Sequence, residues 1–340
     1  MEKRKKILYL GNQLSKHGKN ETGVEFLGRR LMSWGYAVKQ VSSYENSVLR
    51  LLHMLWSVLC FQRKHSVILI DTYSTKNFWY AYLTAQLARI KGMVYICILH
   101  GGNLPTRLKK SPKASHNLFN KALYNVAPSG YLIDQFLQQG YRDVRFIPNG
   151  FDVSEYSFKE RKEVAPRLLW VRSFAEIYHP FLAIQVLEQL LETYPDAQLS
   201  MVGPLDNDVF PRCKAYVEKY QLPVHFTGKL SKKEWISLST NFDMFLNTTN
   251  FDNTPMSLME AAALGLPIVS TRVGGIPYLL EDQKHALLVK PRDVTEMLGA
   301  IKNIIEKPID AYQRTLHARQ LIEGFDWRKI KEKWIQVLNS

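Results

Sequence analysis

Short apolar runs alternate along this chain with longer stretches in which apolar residues recur every three or four positions. The runs at 7–10, 37–41, 67–70, 94–99, 125–127 and 144–147 predict buried strands. Between them, 22–34, 47–62, 77–90, 115–123 and 131–138 predict helices. The rhythm then restarts. Strands are predicted at 168–171, 198–202, 224–227, 244–247, 268–270 and 286–289, and helices at 180–193, 211–220, 232–238, 255–264 and 294–307. Strand and helix in regular alternation imply parallel sheets with helices on both faces.

A turn-rich cluster, Ile147-Pro-Asn-Gly-Phe-Asp152, and a charged segment at 155–167 interrupt the pattern. They predict a hinge between a first domain at 1–152 and a second domain at 153–324. The fold class is α/β: two doubly wound, Rossmann-like domains facing across a cleft. Ligands in such sheets bind outside the carboxyl ends of the strands, which makes that cleft the expected site. In the tail, Trp327, Ile330, Trp334 and Leu338 share one helical face that needs an apolar surface to cover.

Composition narrows the class. The 340 residues are 46% hydrophobic and 22% charged, which excludes disordered and collagenous chains and favours two domains. Three scattered cysteines give neither a disulfide framework nor zinc spacing, as expected in a reducing compartment. Charge changes the picture more. Of the net +14, residues up to Gly150 carry +15 and the remainder −1. An anionic partner is therefore expected for the first half: a membrane surface, a nucleic acid or an acidic substrate. Nucleic acid is disfavoured, because no aromatic-basic motif is present and the second half is not basic.

The basic start, Met1-Glu-Lys-Arg-Lys-Lys6, meets only four apolar residues before Gly11-Asn12 and does not read as a signal peptide. The longest greasy stretch, 48–61, contains Arg50 and His53 and is too short to span a bilayer. It predicts a core helix. The competing reading is an interfacial helix, helped by Arg63, Lys64 and His65 at its end. The expected location is cytoplasmic, with peripheral attachment to the inner face of the membrane as a further expectation. The basic run Lys109-Lys-Ser-Pro-Lys113 reads as solvated, with an anionic acceptor or headgroups as the alternative.

The stretch from Asn250 to Gly275 holds the candidate chemistry. Asp252 or Thr254 is expected to cap a helix that has Pro255 at its first position. The amides around Met256 and Ser257 then form an anion site. Glu260 falls in the second turn, Ala261-Ala-Ala263 permit close packing, and Gly265-Leu-Pro267 ends the helix. Asp206-Asn-Asp208 imitates a metal-binding Asp-x-Asp, but no third carboxylate is near in sequence, and it reads as a loop.

Here the sequence resembles the retaining glycosyltransferases of family 4, which have the GT-B fold. The resemblance lies in two acids separated by seven positions, Asp252 and Glu260, followed by the Ala-rich helix, Gly-x-Pro and Val273-Gly-Gly275. It extends to Ala127-Pro-Ser129, Phe146-Ile-Pro-Asn-Gly-Phe-Asp152, Val202-Gly-Pro204, Phe226-Thr-Gly228, Leu288-Val-Lys-Pro291 and Phe325-Asp-Trp327. It implies that the helix at 325–340 returns to the N-terminal domain. It implies that Glu260 holds the ribose of a nucleoside-diphosphate sugar, that Asp252 contacts the donor sugar, and that the amides after Asp252, at Thr254, Met256 and Ser257, hold sugar or phosphate oxygens. Arg172 would grip the diphosphate, with Gly23 and Gly203 beside the donor. His100, in Leu99-His-Gly-Gly102, would touch the sugar, and backbone groups near Lys229 and Leu230 would pair with the base.

The implied reaction transfers a sugar to an acceptor hydroxyl with retention at the anomeric carbon. The acceptor is a glycan or lipid-linked glycan in cell-surface polysaccharide synthesis. The donor is a co-substrate, and no metal or cofactor is implied. The chain departs from the family where a second diphosphate clamp, a Lys, is usual and Tyr178 stands instead. It departs again at Tyr278, where a Glu is usual after Gly-Gly-x-Pro. These changes motivate an alternative: a nucleotide-sugar-binding protein of the same fold with weak or no turnover. A nicotinamide dehydrogenase is disfavoured, because the first turn, Gly11-Asn-Gln-Leu-Ser15, lacks Gly-x-Gly-x-x-Gly.

Overall fold

The computed structural model describes residues 5–13, 22–206 and 208–340. Most of the basic start, Leu14-Ser15 of the first turn and Asn207 of the Asp206–Asp208 loop lie outside the described residues. The chain divides into two compact units, Met1–Pro148 with Lys331–Ser340, and Asn149–Ile330.

The first unit contains β1 (Lys6–Leu10), α1 (Gly23–Ser33), β2 (Ala37–Val41), α2 (Ser47–Cys60), β3 (Ser66–Thr72), α3 (Asn77–Ile90) and β4 (Tyr95–Leu99). It continues through α4 (Leu104–Lys110), α5 (Pro112–Phe119), β5 (Tyr124–Ala127), α6 (Gly130–Gln138) and β6 (Val144–Phe146). Its sheet runs β2-β1-β3-β4-β5-β6, with parallel pairing throughout. β1, β3 and β4 lie inside the sheet, which is why their apolar runs are continuous and not alternating.

In the second unit, β7 (Arg167–Val171), α7 (Pro180–Leu191), β8 (Gln198–Val202), α8 (Val209–Tyr220), β9 (Val224–Gly228) and α9 (Lys232–Ser239) make one half. The other half is β10 (Met244–Asn247), α10 (Met256–Ala263), β11 (Ile268–Thr271), α11 (Ile276–Leu279), β12 (Leu287–Val289), α12 (Val294–Glu306) and α13 (Pro308–Glu323). The sheet order is β12-β11-β10-β7-β8-β9 and all pairs are parallel. Helices cover both faces. Trp170 and Phe174 anchor one core with α7 and α12, and the Ala261–Ala263 run lets α10 lie flat against α13 in the other. Each large side chain fully buried in this way stabilises the fold by about 1.5–3 kcal/mol.

The last helix, α14 (Trp327–Asn339), begins in the second unit and ends in the first. Its four expected face residues, Trp327, Ile330, Trp334 and Leu338, are all buried. Within the first unit, Lys333 lies over the Phe146 ring at 5.1 Å.

Two expectations need correction. The stretch 47–62 is not a helix enclosed by the core. α2 turns its polar stripe inward, burying Arg50 and Ser57 beside Met54 and Val58, and leaves Val48, Leu49, Leu52, Trp56 and Leu59 exposed. For Arg50 the reason is polar satisfaction: its guanidinium donates to the carbonyls of Tyr44 (2.8 Å) and Glu45 (3.1 Å) and to Asn12 Oδ1 (3.3 Å). The Lys109–Lys113 run is solvated as expected: all three lysines are exposed, where α4 closes and α5 opens, and Arg107 beside them donates to the Ser74 carbonyl at 2.8 Å. Finally, Pro255 sits at the N-cap of α10 and no side chain caps that helix. Asp252 instead accepts from the backbone N–H groups of Asn253 and Thr254, in the loop before it.

Candidate functional site

In the second sheet, chain order reverses between β7 and β10, so their loops diverge to opposite faces and leave a crevice at the strand ends. Arg172 is the first residue after β7. Asp252 lies five residues beyond β10, on the loop that enters α10. Sequence-distant residues thus meet at the switch point because of topology.

Arg172 Nη2 pairs directly with Asp252 Oδ2, and both side chains are largely buried. The guanidinium carbon stands 4.9 Å from the centroid of the Tyr178 ring. Tyr178 therefore supports the cation through its π face and adds no charge of its own. Burial raises the Asp252 carboxyl above its usual value, opposed by Arg172 and by the amides of Asn253 and Thr254. Among the described residues, Arg172 Nε, Thr254 Oγ1 and Ser257 Oγ are buried without a hydrogen-bond partner. A buried polar atom left so costs about 1–3 kcal/mol, and three near one helix start fit an oxygen-rich ligand. Met256, the first residue of α10, is partly exposed beside them.

Glu260 is one turn further along α10. Its Oε1 accepts from the Tyr156 hydroxyl at 2.7 Å. Burial raises its carboxyl, opposed first by the Tyr156 bond and then by the charges of Lys232 and Arg172. Tyr156 is itself fixed, stacked on Phe151 at 4.6 Å with Lys232 over its ring at 4.8 Å. Lys232 also pairs with Glu155. Tyr156 and Lys232 were not legible as site residues, since each sits in an ordinary-looking segment 104 and 28 positions from Glu260.

Glycines set the backbone spacing. A Cβ on Gly203 would stand 1.8 Å from the Arg172 carbonyl oxygen, so this glycine lets the turns after β7 and β8 touch. A Cβ on Gly274 would meet the Asp252 oxygen at 2.1 Å, and one on Gly275 the Asn253 oxygen at 1.8 Å. The Gly-Gly turn is therefore the seat of the acidic loop, and Gly275 N–H donates to the Asp252 carbonyl at 2.8 Å. Gly203 N–H donates to Gly228 O at 3.0 Å, which brings the exposed Lys229 and half-buried Leu230 to the same end of the sheet. Tyr278 is half-exposed on α11.

His100 and Gly23 belong to the first unit and make their own cluster at its switch point, beside the ends of β1 and β3. His100 Nε2 is 2.8 Å from Asp71 Oδ1, which also accepts from the Tyr9 hydroxyl at 3.0 Å. The imidazole stacks on Tyr73 at 4.8 Å. A Cβ on Gly23 would meet His100 Cε1 at 3.0 Å, so the glycine leaves room for this ring. With Nε2 engaged by a carboxylate, His100 is held by one nitrogen and has Nδ1 for another partner. Among the described residues, Asp71 Oδ2 is buried with no partner. Asp71 was readable in one respect only: it is an acid closing an otherwise apolar strand. Among the described residues, no group of three His, Cys, Asp or Glu is placed to hold a metal ion.

Residues 152–320 match the family described as glycosyl transferases group 1. Over 208 residues the chain is 26% identical to the glycogen synthase of Mycobacterium tuberculosis, covering 60% of this chain and 50% of that protein. It is 27% identical over 194 residues to the GDP-mannose-dependent alpha-mannosyltransferase of Corynebacterium glutamicum, covering 55% and 45%. The chain spans about half the length of the curated relatives it matches. Its fold is that of Anabaena HepE in complex with UDP, with a TM-score of 0.77 at 18% identity over 98% of this chain and 99% of that one.

Proposed function

We propose that this chain, whose residues 152–320 match the group 1 glycosyl transferases, is a retaining glycosyltransferase of family 4 that takes a sugar from a nucleoside-diphosphate donor. The observation that carries the reading is the Arg172–Asp252 pair at the switch point, with Glu260 one turn along the helix that starts there. HepE, which shares the fold, is described in complex with UDP.

In this reading Glu260 accepts from the ribose hydroxyls, taking them in place of, or beside, the Tyr156 hydroxyl. Arg172 Nε and the first amides of α10 face the diphosphate, and Thr254 and Ser257 add hydroxyl donors. Negative charge grows on the leaving diphosphate as the glycosidic C–O bond breaks. A fixed guanidinium and fixed amides meet that charge without reorganising, the form of electrostatic catalysis worth most in a dry site. Asp252 orients Arg172 and offers its second oxygen to a sugar hydroxyl. His100, held by Asp71, presents Nδ1 to a substrate oxygen. The acceptor hydroxyl attacks the face the leaving group departs, and its proton passes to the leaving phosphate oxygen, so retention needs no enzyme nucleophile.

The donor serves as co-substrate, and the reading assigns no metal or cofactor. The acceptor is a glycan or lipid-linked glycan of cell-surface polysaccharide synthesis, and an anionic membrane surface is the second partner. Tyr178 favours one alternative, a donor-binding protein with little turnover, because the diphosphate lacks its second cation. Incubation with nucleoside-diphosphate sugars and a set of glycan acceptors decides. Transfer with retained anomeric configuration supports the enzyme. Donor binding with neither transfer nor hydrolysis supports the alternative, and no binding of any donor rejects both.

A further inference from the structure

We propose that the solvent-facing side of α2 and α3 docks on an anionic lipid bilayer. The inference deepens the membrane partner named above and rests on that reading. α2 exposes an apolar stripe, Val48, Leu52, Trp56 and Leu59, at the spacing of a single helical face; Val48 is 63% and Trp56 65% exposed. α3, packed beside it, exposes Trp79, Leu83 and Ile90, the last at 83%. The two helices end together: Lys91 Nζ donates to the Val58 and Phe61 carbonyls at the end of α2, at 3.1 and 3.2 Å. A paired apolar surface of this kind, left outward while Arg50 and Ser57 are buried, marks an interaction face.

Charge selects the partner. From Asn46 to Val94 the lysines and arginines are Arg50, Arg63, Lys64, Lys76, Arg89 and Lys91, and the single acid is Asp71, buried under Tyr9 and His100. Arg63, Lys64 and Arg89 are exposed around the end of the apolar stripes. Apolar residues with tryptophan, rimmed by cations and with one exposed acid, Glu45, at the far end before α2, match a headgroup layer over acyl chains. A second copy fits poorly, because a two-fold pairing would set this basic rim against a face on which Glu45 is the one exposed acid to offset it. Among the described residues no helix is long and apolar enough to cross a membrane, so the contact is with the surface of the bilayer.

Cys60 provides a reporter at the end of the stripe: it is exposed, whereas Cys97 and Cys213 are buried. The full chain, labelled there with an environment-sensitive dye, is mixed with vesicles of pure phosphatidylglycerol or pure phosphatidylcholine. We expect a blue shift with phosphatidylglycerol, reversed by salt, and little change with phosphatidylcholine. In sedimentation of the unlabelled chain, Leu52→Ser with Trp56→Ser lowers the vesicle partition by about tenfold or more. Lys64→Gln and Arg89→Gln each lower it by about fivefold. Unchanged nucleotide affinity and melting temperature show that the variants fold. No shift with phosphatidylglycerol at low salt overturns the proposal. So does a shift without vesicles that grows with protein concentration, the mark of self-association, or equal binding by folded variants. Vesicle binding without sugar transfer would leave this face standing and reject only the enzymatic reading.

Discussion

Glu260 is held between two demands. The proposed function assigns its carboxyl to a ribose, and burial raises its pKa above the usual 4.5. A carboxyl raised on folding binds more protons in the folded state than in the unfolded one above that value, so its contribution to stability falls as pH rises through the window. Glu260→Gln, which keeps an acceptor for Tyr156, should therefore raise the melting temperature of the ligand-free protein at neutral pH. A gain of one kcal/mol corresponds to about 2–4 °C, and it should vanish below pH 4.5. The same variant should bind nucleotide at least about tenfold more weakly, as a lost charge-assisted hydrogen bond requires. Differential scanning calorimetry across pH reads the first effect; an unchanged profile contradicts it. At Tyr178, phenylalanine keeps the ring under Arg172 and alanine removes it. Tyr178→Phe should leave kcat within about twofold, while Tyr178→Ala should lower it by about fivefold, the worth of one partly buried cation–π contact. Equal rates in the two variants would show that the ring does not hold the guanidinium.

At the scale of elements, the acidic loop depends on the turn it rests on. Gly274 has φ +55°, and an added Cβ would overlap the Asp252 carbonyl oxygen at 2.1 Å. Gly274→Ala should destabilise the protein by about 1–3 kcal/mol and weaken nucleotide binding along with it, because the loop must move. Denaturant unfolding and a nucleotide titration on the same sample test the pair of effects, and loss of stability with full affinity would separate turn from site. This linkage was half legible in the sequence. The Gly-Gly turn and the acid pair were both visible, but not that one packs on the other across 22 positions. The strands were the most readable elements, because central parallel strands are apolar on both faces. α2 was misread because periodicity shows a polar stripe without showing which way it points. Only the partners of Arg50, on the loops at Asn12 and Tyr44–Glu45, turn it inward. Tyr156 under Glu260 and Asp71 under His100 stayed hidden for a similar reason: contacts across 104 and 29 positions leave no trace in local pattern.

For the whole molecule, the division of labour follows the contacts. Residues 149–330 hold Arg172, Asp252 and Glu260, and the other unit holds His100 and the α2–α3 face. Trp334 is buried in the last segment, which belongs to the first unit. Trp334→Ala should cost about 3–5 kcal/mol of that unit's stability while leaving nucleotide affinity unchanged. A two-step melt in which only one transition moves would display this, and a fall in affinity would contradict it. Sugar transfer should persist undiminished in excess EDTA, since the charge on the diphosphate is assigned to Arg172 and peptide N–H groups. The most direct test of the central claim is calorimetric titration with nucleoside diphosphates of the wild-type chain, Glu260→Ala and Arg172→Ala. The account predicts that one nucleoside diphosphate binds the wild type and that both folded variants lose at least about tenfold in affinity. Equal affinity in all three proteins would contradict it.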